Sequence, residues 1–82
     1  MITVKQVLER IMRIAESLGY SVTLYSNHLI IYNSEFKTDV TVIDDDIIII
    51  QSRGFPKDRI NIIKAFEIVN KSDKELIDLL NL

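Results

Sequence analysis

The 82-residue chain has no cysteine and no tryptophan, one proline, two glycines and a single histidine. Without cysteine there is no disulfide staple, no thiolate metal ligand and no thiol nucleophile. A lone histidine makes no zinc site, and no Ser-His-Asp grouping assembles around His28, which stands at a predicted hairpin turn. Scarce proline and glycine leave no linker, and neither repeats nor low-complexity segments are present. No apolar run reaches the ~18 residues needed to cross a membrane. The opening residues MITVKQVLER carry charge early and show no small-residue cleavage site. They do not read as a signal peptide, so the expected location is cytoplasmic.

What is present is apolar. The chain is 48% hydrophobic and 27% charged, a globular balance, and fifteen residues are isoleucine. That bias fits an AT-rich genome and points to a thermophile, an archaeon or an archaeal virus or mobile element. Residues 1–82 make a single domain. A domain this short buries only about 60–65% of its unfolded surface, and small domains without staples often gain stability by associating.

The net charge is −2, unevenly placed. Glu35, Asp39, Asp44, Asp45 and Asp46 face Lys37 alone, while Arg53, Lys57, Arg59, Lys64, Lys71 and Lys74 outnumber Asp58, Glu67 and Asp73. Such polarity can orient two copies of a chain or steer a partner.

Periodicity predicts a first helix from about Val4 to Leu18. Thr3 and Gln6 have the spacing of a capping box, and Gly19 supplies the stop. Val4, Val7, Leu8, Ile11, Ile14 or Ala15, and Leu18 repeat at 3.6 residues. YSVTLY and HLIIYN read as strands joined by the Ser26-Asn27 turn. FKTDVTVI alternates as a third strand, Asp44 and Asp45 turn the chain, and DIIIIQS is a fourth. A second helix is expected from Pro56 or Asp58 to about Asn70, burying Ile60, Ile62, Ile63, Phe66 and Val69. Ser72 and Glu75 cap a third helix bearing Leu76, Leu79 and Leu80. The expected fold is α+β: a helix, a four-stranded antiparallel meander, then two helices, with all helices on one face of the sheet.

Helices cover one face only, yet residues Ile47, Ile48, Ile49 and Ile50 put isoleucine on both faces of a strand. A strand buried on both sides reads as a continuous apolar run. Ile47 to Ile50, with Ile30 and Tyr32, are therefore the candidate interface, and a second copy of the chain is the simplest partner.

Other clusters carry less chemistry. Three consecutive acids on a tight turn point apart and lack the glycine and later glutamate of a calcium loop, so Asp44 to Asp46 read as a solvated turn, with no metal expected. Arg53, Lys57 and Arg59 beside Gly54 are candidate phosphate-binding residues, since the segment leads into a predicted helix N-terminus; the spacing of a phosphate-binding loop is absent. Tyr20, Tyr25, Tyr32 and Phe36 lie on or beside the sheet, but Lys37 is the only base among the strands, which disfavours nucleic acid stacked on the sheet.

The stretch TDVTVIDDDIIIIQSRG resembles the hairpin of the PD-(D/E)xK nucleases, a family that includes Holliday-junction resolvases. The resemblance covers about twenty residues and implies a metal-dependent nuclease hairpin, with Asp39 at the first acid and Glu9 or Glu16 on the preceding helix. Gln51 stands where the second acid would be, Arg53 where the lysine would be, and no proline precedes Asp39. Gln51 supplies no second negative ligand and Arg53 does not readily release a proton, so the resemblance implies a degenerate relative. The residues themselves point to a non-enzymatic protein-binding module without cofactor, expected to be a homodimer, with nucleic-acid binding through residues 53–64 as the alternative.

Overall fold

The computed structural model describes residues 3–54 and 58–82. Helix α1 (Val4–Ser17) is followed by strands β1 (Ser21–Leu24), β2 (His28–Tyr32), β3 (Phe36–Ile43), β4 (Ile47–Gly54) and β5 (Arg59–Lys64). Two short helices, α2 (Ala65–Val69) and α3 (Asp73–Leu79), complete the α+β chain. The sheet is antiparallel, in the order β1-β2-β3-β4-β5.

Local chemistry sets the first helix. The Thr3 hydroxyl accepts the Gln6 N–H at 3.2 Å, and the Gln6 side chain accepts the Thr3 N–H at 2.9 Å. Its buried stripe is Val7, Leu8, Ile11, Ile14 and Ala15. Leu18 caps the end, and Gly19 turns the chain at φ +91°. Opposite this stripe the sheet contributes Leu29, Ile31, Val40, Val42, Ile48 and Ile50, and Ile68, Leu76 and Leu80 close the core.

The expected four strands are five, and the second helix is the reason. Residues 59–64, assigned above to that helix, form β5; only Ala65–Val69 is helical, and Pro56 lies outside the described residues. RINIIK satisfies both periods, because Ile60 and Ile63 fit a helix face while Ile60 and Ile62 fit a strand face. The decision is tertiary. Had β4 been an edge, half of its backbone groups would have lost their ladder; β5 pairs with it from Ile47↔Lys64 to Ser52↔Arg59.

Polar ties seat the C-terminal helices. Thr38 on β3 and Ser52 on β4 are buried, lie 3.1 Å apart, and both donate to the Leu80 carbonyl. Arg59 reaches from β5 to the Asp78 and Leu79 carbonyls at the end of α3. Arg10 of α1 donates to the Ile68 and Lys71 carbonyls and meets Asp73 at 2.8 Å. Each guanidinium thus adds charged donors to carbonyls near a helix end, where Ile68 and Asp78 also accept a backbone N–H.

Candidate functional site: the open face and the β5 edge

Cross-strand register arranges the uncovered face in rows. Ile43 lies beside Ile47 and Lys64; His28 and Thr41 continue into Ile49 and Ile62. Thr23, Ile30, Asp39, Gln51 and Ile60 form the third row, and Ser21, Tyr32, Lys37 and Arg53 the fourth. The face therefore divides across its width. Its β2–β3 side is polar: His28 Nε2 meets Asp39 Oδ1 at 3.0 Å, and Lys37 Nζ lies 3.7 Å from Asp39 Oδ2. The β4–β5 side carries Ile47, Ile49, Ile60 and Ile62, which adjoin Ile43 of β3, with Lys64, Gln51 and Arg53 around them.

Burial sorts the candidate interface residues. Ile48 and Ile50 point into the core beneath the helices and are not on the open face. Ile47, Ile49 and Ile30 are half-buried on that face, and Tyr32 is exposed there. The strongest apolar exposure lies elsewhere, at Ile62 (66%) and Ile60 (60%) on β5 and equally at Phe66 on α2. Sequence reasoning hid both isoleucines in a helix. The period-two contrast of Ile60 and Ile62 against Asn61 was the signal that could have found them.

The basic segment does not assemble as expected. Among the described residues no helix begins between Arg53 and Lys64, so the helix N-terminus invoked for phosphate is absent. Arg59 is turned inward onto α3. Arg53 sits exposed beside Lys37 on the fourth row, and Lys57 lies outside the described residues.

The acidic turn is a backbone device. Asp44 (φ 54°) and Asp45 (φ 56°) are both left-handed, and the Asp46 N–H returns to the Ile43 carbonyl. Two successive positive φ values are those of a type I′ turn, which suits the twist of a hairpin. All three acids are exposed, and among the described residues no group of three or more His, Cys, Asp or Glu side chains could hold a metal. Asp39 does lie opposite Gln51, as the nuclease-like hairpin requires, but its carboxylate is engaged by His28 and Lys37.

Among the described residues no helix is long and apolar enough to cross a membrane. No family model, curated protein or solved structure matches the chain.

Proposed function

We propose that this chain is a non-enzymatic protein-binding module that works as a homodimer, with the β5 edge and the aliphatic rows that run up to it as its contact. The observation that carries this reading is the exposure of Ile60 and Ile62 on a strand at the edge of the sheet, continuous with Ile43, Ile47 and Ile49. Taking an isoleucine side chain fully out of water is worth ~1.5–3 kcal/mol. The whole domain has roughly 4–12 kcal/mol of stability, so two such side chains weigh heavily. Contiguous apolar surface beside unpaired strand edges is a recurrent mark of association.

Light scattering on a sizing column at ~100 μM tests the proposal, since interfaces of modest area dissociate at micromolar concentrations. The expected mass is twice that of the chain, and Ile62→Lys should return it to the monomer. A monomeric wild type at that concentration refutes the reading.

A further inference from the structure

We infer that two copies join along β5, antiparallel about a two-fold axis at Asn61, to make one continuous ten-stranded sheet. This rests on the dimer reading and specifies its geometry.

The direction of the backbone groups comes first. The Ala65 N–H donates to the Asp46 carbonyl, which sets the phase of the β4–β5 ladder. Hydrogen-bonded and non-hydrogen-bonded pairs alternate in an antiparallel ladder. The pairs Ile48↔Ile63, Ile50↔Asn61 and Ser52↔Arg59 therefore face inward, and the N–H and C=O groups of Ile60, Ile62 and Lys64 face the free edge. Lys64 is already engaged: its N–H donates to the Glu67 carboxylate at 3.1 Å, and it is the N-cap of α2. Among the described residues the edge is thus left with two donors and two acceptors, on Ile60 and Ile62.

One register uses all four. With Ile60 opposite the second copy's Ile62, and Ile62 opposite its Ile60, four N–H···O bonds form and every free group of the pair is matched. The side chains agree. Ile60 and Ile62 gain each other as neighbours across the seam, extending the row of Ile49. The same register sets Asp58 of each copy against Lys64 of the other, so opposite charges close both ends. It also brings the two Asn61 residues together as a non-hydrogen-bonded pair, with Cα atoms about 4.5 Å apart. Asn61 is half-buried on the helical face and its carboxamide makes no hydrogen bond among the described residues. A carboxamide is both donor and acceptor, so two of them across a two-fold satisfy one another.

The competing arrangements fit less well. Sliding the seam until Ile62 meets Ile62 calls on the Lys64 N–H, which Glu67 holds, and leaves Lys64 opposite Ile60 without an acid. The other edge strand, β1, has only four residues. Face-to-face stacking would cover Ile47 and Ile49 but leave the four edge groups of β5 unmatched.

The absence of cysteine makes the test direct, because a single introduced thiol reports its own two-fold contact. A disulfide needs Cα atoms roughly 4.4–6.8 Å apart. Asn61→Cys, oxidised with glutathione disulfide, should give covalent dimers, whereas Ile62→Cys, offset diagonally from its copy, and Ile49→Cys, one strand inside the seam, should not. Cross-linking through Ile62→Cys in place of Asn61→Cys overturns the register. Cross-linking through Ile49→Cys alone means stacked faces: it overturns the edge geometry and leaves the dimer standing. Light scattering on the wild type tests the dimer separately. As a second measurement, Lys64→Glu should weaken the dimer about tenfold by opposing Asp58, and adding Asp58→Lys should restore it. An unchanged dissociation constant for Lys64→Glu overturns the pairing.

Discussion

Gly54 ends β4 at φ +116°, and a Cβ built there would fall on the carbonyl oxygen of Glu35 at the start of the neighbouring strand. Both the dihedral and the contact exclude an L side chain. Gly54→Ala should therefore cost about 2–3 kcal/mol, read as a lower urea midpoint with an unchanged slope. Asp44 and Asp45 present the opposite case: they occupy left-handed geometry that costs most L residues about 1–2 kcal/mol and that aspartate tolerates better than most, though less readily than glycine. Asp44→Asn with Asp45→Gly supplies the pair that a type I′ turn prefers and removes two neighbouring charges. It should stabilise the domain by about 1 kcal/mol, seen as a melting temperature about 4–8 °C higher. Millimolar magnesium should leave the wild-type melting temperature unmoved. A rise that the double substitution erased would restore the metal reading of this turn.

At the scale of elements, legibility followed how local the deciding interaction is. Helix α1 was readable because cap, stripe and stop all lie within its own residues, from Thr3 to Gly19. Strands β1 to β4 were readable, β3 from its alternation and the others from β-branched, aromatic or isoleucine runs bounded by short turns. β5 was not, because Ile60, Ile62 and Ile63 fit two periods and only the demand of β4 for a partner chooses between them. The same demand explains Ile47 to Ile50. β4 is an interior strand, so its core face holds Ile48 and Ile50, and its outer face is hemmed in by Ile43 and Thr41 on one side and Lys64 and Ile62 on the other. Helix α3 was legible at its start. The Ser72 hydroxyl accepts the Glu75 N–H at 3.2 Å, and the Glu75 carboxylate accepts the Ser72 N–H at 3.0 Å. The Ser72 backbone N–H, with the Ser72 hydroxyl second, holds the Glu75 carboxyl below its ordinary value of 4.5. A carboxyl with a depressed folded-state pKa binds more protons unfolded than folded in the window between the two values, so stability rises with pH there. The contribution of Glu75 should be complete at neutral pH, start to fall as the pH drops towards 4.5, and be gone below its lowered pKa. Glu75→Gln should flatten that part of the stability profile, measured by urea unfolding between pH 3 and pH 7.

For the whole molecule, the continuous isoleucine run signalled more apolar surface than one face of helices can cover. Part of that need is met inside the chain, by β5 pairing with β4 and by the burial of Ile48 and Ile50. The rest is passed one strand outward, to Ile60 and Ile62. The sequence pattern thus pointed to surplus apolar surface on the sheet but not to its place, because the location depends on which strand is last. Lysine on the outer side of an edge strand is a recognised guard against such pairing, and between its ends β5 has none. If the edge is completed by a second copy, unfolding is coupled to dissociation and the melting temperature must depend on concentration. A hundredfold increase in protein concentration adds about 2.7 kcal/mol to the unfolding free energy of the pair, a shift of about 5–10 °C for a dimer of this size. Differential scanning calorimetry at ~5 and ~500 μM should show that slope. Ile62→Lys should remove it, giving a melting temperature that is the same at both concentrations, because position 62 is exposed and lies outside the buried core. A wild type whose melting temperature does not move with concentration would mean that the β5 edge stands alone in solution.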